Sequence, residues 1–258
     1  MSGTTKIEWT DHTFNPWWGC VKVSPGCDHC YAEGDAKRYG HQVWGKDAPR
    51  RFLSDHHWAQ PLKWNRDAAH AGERRGVFCA SMADVFEERD DLDPLRERLW
   101  DVIRQTPHLD WQLLTKRPDA MRRDLPTDLA SLSNVWLGTT VESDDYLWRI
   151  DKLLSIECAG LRWISYEPAL GPVNFRPYFT GRRVEWIIIG GESGPGARPF
   201  DSAWAAQTIA DGAALGVAVF LKQLGSRLKL RDYKGGDMNE WPKHLRVRQY
   251  PREVEGAA

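Results

Sequence analysis

The sequence predicts an α/β fold, a complete or partial (β/α) barrel of about seven parallel strands. Three observations lead there. From Gly76 onward, short apolar runs ending in small polar or charged residues alternate with segments of helical spacing, which is the rhythm of βαβ units. The runs are largely apolar, as befits strands covered on both faces. The length, 258 residues, suits one such barrel, which needs about 250.

In chain order, the first strand is expected between Lys6 and Trp18. Six more follow at 76–81, 109–115, 134–140, 161–166, 184–190 and 217–222. Apolar residues recur at helical intervals over 94–106, 144–155 and 202–215, where Pro94 and Ser202 are start signals and Gly216 an end signal. Residues 39–75 hold Trp44, Trp58, Trp64 and several basic residues without a clear period, and are expected to be an irregular insertion. The expected organisation is a single barrel domain over 1–226 and a C-terminal appendage over 227–258, with Gly235-Gly236 and a closing Arg-rich stretch packed against the barrel.

Apolar residues make up 41% and charged residues 28%, a globular balance with material for a sizeable core. No run approaches the roughly 18 apolar residues of a membrane span, and the N-terminus lacks the basic-then-apolar pattern of a secretory signal. The expected compartment is therefore the cytoplasm, with no membrane partner. A net charge of −1 gives no general attraction to nucleic acid.

Chemistry concentrates in Gly19-Cys20-Val-Lys-Val-Ser-Pro-Gly-Cys27-Asp-His-Cys30. Three of the five cysteines fall within eleven residues, which fits a reducing compartment and metal or redox chemistry better than a disulfide framework. Ser24-Pro25-Gly26 is a turn signal that folds Cys20 back toward the others. The Cys27–Cys30 spacing serves zinc and iron–sulfur sites alike. Three thiolates leave one coordination position open, whereas a structural zinc site wants four protein ligands; His29 or His12 can complete a zinc set. Cys79 and Cys158, in apolar surroundings, read as core residues. The loop follows the first strand, at the end of the sheet where barrels carry out chemistry, and this favours a cluster over zinc.

The triad on this first loop resembles the radical S-adenosylmethionine superfamily, in which three cysteines hold a [4Fe–4S] cluster and the cofactor's amino and carboxylate groups chelate the fourth iron. His29 stands where that superfamily usually has an aromatic residue, and six residues separate Cys20 from Cys27 where three are usual. A second resemblance covers nearly the whole chain. Asn15-Pro-Trp-Trp-Gly-Cys20, Ser24-Pro-Gly-Cys-Asp-His-Cys-Tyr-Ala-Glu33, Ser81-Met-Ala-Asp-Val-Phe86, Leu114-Thr-Lys-Arg-Pro118, Glu167-Pro168, Gly190-Gly-Glu-Ser-Gly194 and Lys222-Gln223 resemble a phage-type protein family with a three-cysteine motif, itself radical-SAM-like. The resemblance implies a radical-SAM-like barrel and cleavage of S-adenosylmethionine to a 5′-deoxyadenosyl radical. It also implies an electron donor as partner and leaves the substrate open.

In a barrel, residues just after each strand share one mouth. Here these are Ser81 and Asp84, Thr115 with Lys116 and Arg117, Thr139, Thr140 and Glu142, Ser165 and Glu167, Glu192 and Ser193, and Lys222 with Gln223. Together they predict a polar cofactor pocket; the alternative for each is a helix cap, a solvated end or a buried ion pair. Glu142, Glu167 or Glu192 can hold a ribose hydroxyl or the cofactor's amino group, and Lys116, Arg117 or Lys222 can meet a carboxylate or phosphate. Gly190-Gly191-Glu192 matches a superfamily motif for that amino group, but after a late strand instead of an early one. Gly190 to Arg198 can also cradle a phosphate, although the P-loop pattern is absent.

The chain has 14 tryptophans. Trp111, Trp136, Trp163 and Trp186 fall in expected strands and read as core. Trp17, Trp18, Trp44, Trp58 and Trp64 surround the cysteine loop and can stack a base or an adenine. Arg50-Arg51, Arg74-Arg75, Arg122-Arg123 and Arg182-Arg183 would extend such a surface. Two function classes remain open: a radical-SAM-like enzyme acting on an unknown substrate, nucleic acid being one candidate, and a non-catalytic DNA- or RNA-binding protein stapled by zinc or a cluster, in DNA repair or a phage-related process.

Overall fold

The computed structural model describes residues 5–251; the first four residues, and the last seven with the end of the expected appendage, lie outside the described residues. Its strands are β1 (His12–Thr13), β2 (Trp17–Trp18), β3 (Arg51–Phe52), β4 (Arg75–Cys79), β5 (Leu109–Thr115), β6 (Val135–Thr140), β7 (Arg162–Tyr166), β8 (Trp186–Gly190) and β9 (Ala218–Gln223). Seven of them form one sheet in the order β1-β4-β5-β6-β7-β8-β9. The β1–β4, β4–β5, β7–β8 and β8–β9 ladders are parallel. The order has two ends, β1 and β9, so the expected barrel takes its partial form. The remaining strands, β2 and β3, pair antiparallel.

The chain divides into two compact units: residues up to Val23 with Ala32–Gly138 and Ile156–Gly160, and Ser24–Tyr31 with Thr139–Ser155 and Leu161 onward. In the first unit β5 is buried almost throughout, and the helix Asp93–Arg104 buries Leu99, Trp100, Val102 and Ile103, of which 99, 102 and 103 make an i, i+3, i+4 stripe. Phe14 gathers a ring cluster, edge-on to Trp58 at 5.2 Å and to Trp111 at 5.6 Å, with His57 stacked on it at 4.7 Å. Such geometry adds about 0.5–1.5 kcal/mol per pair beyond simple burial.

The segment 39–75 is more regular than its composition suggests. It contains β3 and a twelve-residue helix, Gln60–Ala71, whose Pro61, Trp64 and Ala68 face inward. Burial therefore corrects the expectation for three tryptophans: Trp17, Trp58 and Trp64 are core, and only Trp18 and Trp44 keep part of a ring exposed. Trp111, Trp136, Trp163 and Trp186 are buried in their strands.

In the second unit Ile187 and Ile189 of β8 and Val219 and Leu221 of β9 join Ile164, Phe175, Phe179 and Ala205 in one core cluster. The helix Ser202–Leu215 begins where the Asp201 carboxylate accepts from the Ala203 amide at 2.8 Å and ends at Gly216. Gly216 takes φ +71°, which an L side chain resists. The expected helix over 144–155 opens as a 3₁₀ turn, Asp144–Tyr146, before Trp148–Leu154. The tail returns along β9: the Leu221 amide donates to the Val247 carbonyl and the Gln249 amide to that of Val219, both at 2.9 Å, while Trp241 and Leu245 enter the core cluster. No helix among the described residues is long and apolar enough to cross a membrane.

Candidate functional site

The turn signal Ser24-Pro25-Gly26 folds as a 3₁₀ turn, Pro25–Cys27, closed by the Cys27 amide on the Ser24 carbonyl at 2.8 Å. The Cys30 amide then donates to the Cys27 carbonyl at 3.3 Å, and the helix Tyr31–Arg38 follows. All five cysteines are outside disulfides, and those of the triad are half-buried. Cys79 is core, as expected, and burial pushes its thiol up. Cys158 is not: it is half-exposed in a turn, with Sγ 3.5 Å from the Gly160 carbonyl. Among the described residues, no three His, Cys, Asp or Glu side chains are gathered as a metal-ligand set. His12 is buried against Trp64, ring centroids 4.3 Å apart, and is part of the core.

In the first unit the end of β5 is organised by Asp84. Its carboxylate accepts from the Thr115 hydroxyl at 2.7 Å, the Lys116 amide at 3.2 Å and the Arg117 guanidinium at 2.9 Å. Arg117 also donates to the Val21 carbonyl at 2.6 Å and lies 3.6 Å from Cys20 Sγ. Burial pushes the Cys20 thiol up to about 12, Asp84 adds to the rise, and Arg117 opposes it. Ser81 exchanges hydrogen bonds with Asn15, whose side-chain oxygen accepts the Met82 amide at 2.7 Å.

In the second unit two carboxylates hold the cysteine loop. Glu142, at the end of β6, pairs with Arg149 at 2.7 Å and accepts the Gly26 amide at 3.4 Å. Glu192, after β8, binds the guanidinium and the amide of Arg198 and meets His29 Nδ1 at 2.9 Å. Arg198 continues to the Pro25 carbonyl at 2.9 Å and lies 3.6 Å from the Asp28 carboxylate. Burial alone would raise the Glu192 carboxyl, but the bonds from Arg198 and then His29 outweigh it and hold it below its ordinary value. The carboxylate is thus ionised and accepts, so His29 donates from Nδ1.

Glu167, after β7, lies 3.2 Å from the Lys222 ammonium at Oε1, an oxygen that is buried and receives no aligned hydrogen bond. A Cβ at position 190 would come within 2.2 Å of that oxygen, so only glycine lets the carboxylate lie against the end of β8. The Gln223 amide donates to the Gly191 carbonyl at 2.8 Å. Thr139, Thr140 and Ser165 are buried, and the Thr140 carbonyl accepts from Arg149 at 3.0 Å.

The expected pocket residues are therefore already engaged within their units, in the ion-pair arrangement left open as the alternative: Asp84 with Arg117, Glu142 with Arg149, Glu167 with Lys222, Glu192 with Arg198. Two expectations are corrected. Gly190 to Arg198 is not a phosphate cradle, because Arg198 is committed to Glu192 and the Gly191 and Gly194 amides donate to the Gln223 carbonyl and the Ser226 hydroxyl. The basic pairs are the second: Arg50 is buried on Glu87 at 2.5 Å, Arg74 binds Asp110 and Arg123 binds Asp124, so three of the four pairs each commit at least one cation to a carboxylate. Sequence reasoning missed Arg149 altogether and gave Asn15, the first residue of a motif it singled out, no role of its own. Arg149 falls seven residues after Glu142, close to two helical turns, which is the one signal that links them.

No curated protein matches the chain in sequence. Among solved structures, a doubly substituted spore photoproduct lyase with bound AdoMet and dinucleoside spore photoproduct is similar at 12% identity and a TM-score of 0.46, covering 86% of this chain and 58% of that one. A singly substituted form of the same lyase is similar at 13% identity and a TM-score of 0.45, covering 73% and 58%. The chain thus spans 58% of the length of each. The family described as protein of unknown function (DUF5131) matches residues 4–252, and the chain belongs to it.

Proposed function

We propose that the chain is an enzyme of radical S-adenosylmethionine type, with Cys20, Cys27 and Cys30 as the protein ligands of a [4Fe–4S] cluster. The observation that carries this reading is the support of the cysteine segment. Arg117 stands beside Cys20, while Glu142 and the Glu192–Arg198 pair fix the backbone at Gly26, Pro25 and His29. Side chains the sequence placed in a pocket are spent on holding a loop whose own chemistry is three thiols. That donor set suits a cluster with three protein ligands and one open iron. The guanidinium of Arg117 offsets part of the rise that burial imposes on the Cys20 thiol. For the cofactor, Glu167 offers a buried carboxylate oxygen without an aligned donor, and Lys222 a cation for a carboxylate.

When bound, the cluster would supply one electron from an external donor and S-adenosylmethionine the radical chemistry. The chain's own part is to hold the thiolates, exclude water at the buried ends of β6 and β7, and orient the cofactor's charged groups. Anaerobic reconstitution should give about four irons and four sulfides per chain, with 5′-deoxyadenosine formed under reducing conditions. Cys20→Ala, Cys27→Ala and Cys30→Ala should each abolish both. One tightly bound zinc with no cofactor cleavage would sink the reading. It would favour the second one, a metal-stapled nucleic-acid-binding protein, for which the exposed cations of residues 226–234 speak.

A further inference from the structure

The segment after β9 presents a one-sidedly basic surface. Residues 226–236 carry Arg227, Lys229, Arg231 and Lys234 against the single carboxylate of Asp232, in a chain of net charge −1. All four cations are exposed, Arg231 with 98% of its side chain open. Beside them Tyr233 is 60% exposed and Leu228 45%. Among the described residues Arg227, Lys229 and Lys234 have no carboxylate partner, and Arg231 only approaches Glu240 at 3.9 Å.

The loop is not slack. Its ends are tied by the Gly225 amide on the Lys234 carbonyl at 3.0 Å and the Leu224 amide on the Gly235 carbonyl at 2.9 Å. The Glu240 carboxylate receives the Arg231 and Asp232 amides, both at 3.1 Å. The Trp241 indole closes on the Gly235 carbonyl at 2.9 Å. A pre-organised loop with unpaired cations and an exposed phenol loses little conformational freedom on binding a polyanion.

We propose that residues 226–234 form a binding loop for single-stranded nucleic acid, in which Arg227, Lys229, Arg231 and Lys234 meet phosphates and Tyr233 stacks on a base. Cations alone would suit any polyanion. The exposed aromatic ring among them selects unpaired bases, whose faces are open to stacking where those of a duplex are not. The loop is also bonded to the residue that steadies the cysteine segment. The Ser226 amide donates to the Glu192 carbonyl at 3.0 Å, the Gly194 amide to the Ser226 hydroxyl at 3.1 Å, and the Glu192 carboxylate holds His29. On the proposed function, and resting on it, the loop would make single-stranded nucleic acid the substrate class of the cluster site.

The test is fluorescence anisotropy of the purified full chain with a labelled oligothymidylate of about 20 nucleotides, titrated between about 50 and 200 mM salt. Lys229→Glu with Lys234→Glu should weaken binding at least tenfold and lower the log–log salt slope by about 1.4, two single-strand phosphate contacts. Tyr233→Ala should weaken it about fivefold or more and leave the slope unchanged. Lys63→Glu with Arg66→Glu, an equal charge change on the exposed face of the helix Gln60–Ala71, should change little. Absence of binding by the wild-type chain, equal loss in the two charge-reversed variants, or binding to phosphatidylserine vesicles but not to the oligonucleotide would each overturn the proposal. Binding retained in Cys27→Ala separates it from the cluster reading, since the loop would then stand whether or not a cluster forms.

Discussion

The Arg149–Glu142 pair gives the sharpest test of how the second unit supports the cysteine loop. The two side chains are 2% and 1% exposed and meet at 2.7 Å. Arg149 also donates to the Thr140 carbonyl and lies over the Tyr146 ring at 4.3 Å. Arg149→Met keeps most of the apolar stem but leaves the buried Glu142 side chain without its partner, a loss of about 3–5 kcal/mol. At 2–4 °C per kcal/mol for a chain of this size, the midpoint of thermal unfolding should fall by about 6–20 °C. The double variant Glu142→Leu, Arg149→Met leaves no charge behind and should recover at least half of that loss, because replacing a buried pair by apolar residues is often neutral. Circular dichroism at 222 nm measures both. A single variant within about 2 °C of wild type, or a double variant as unstable as the single one, would show that the pair is not the buried support described here.

Three further outcomes follow from the geometry. Glu192→Ala removes the acceptor shared by Arg198 and His29, so amide hydrogen exchange at residues 25–30 should accelerate about tenfold or more while exchange in β8 stays slow; unchanged exchange at 25–30 would refute the clamp. Gly190→Ala places a Cβ 2.2 Å from Glu167 Oε1 and should cost about 1–3 kcal/mol by denaturant unfolding, with Lys222 released from its partner; a neutral result would mean that the carboxylate does not lie there. Burial lowers the His57 pKa from its ordinary 6.5, against the bond to the Asn15 carbonyl. The unfolded chain then binds the proton more readily, so stability should fall as pH drops through 6.5. His57→Gln should flatten that slope, and an unchanged slope would count against it.

The strands β4 to β9 were legible because each is a largely apolar run bounded by polar or small residues. The run at 109–115 coincides with β5, and the others differ by one or two residues at an end. The helix Gln60–Ala71 was not legible, since its buried stripe is only Pro61, Trp64 and Ala68 and most of the rest is polar. Trp17, Trp58 and Trp64 were misplaced for a related reason: in irregular segments no period tells a buried ring from an exposed one. Chemistry is suggested at the cysteines by spacing alone, and that reading is the one on which the proposed function rests. Chemistry was not legible at the carboxylates, because whether Glu142 or Glu192 faces a ligand or an arginine depends on partners such as Arg149 and Arg198, which only the fold supplies.

The way the tail lies along β9 changes what can be cut from this chain. An outer strand of a parallel sheet offers a row of unsatisfied amides and carbonyls to any passing strand. Here Val247 and Gln249 occupy that row, and Arg248 donates to the Leu221 and Lys222 carbonyls while its guanidinium rests on the Phe220 and Trp241 rings. Ending the chain at residue 226 would uncover β9 together with the cavity left by Trp241 and Leu245, so the shortened protein should be recovered as aggregates. The tail guards a sticky edge, and its removal would be read as insolubility before any effect on chemistry could be measured.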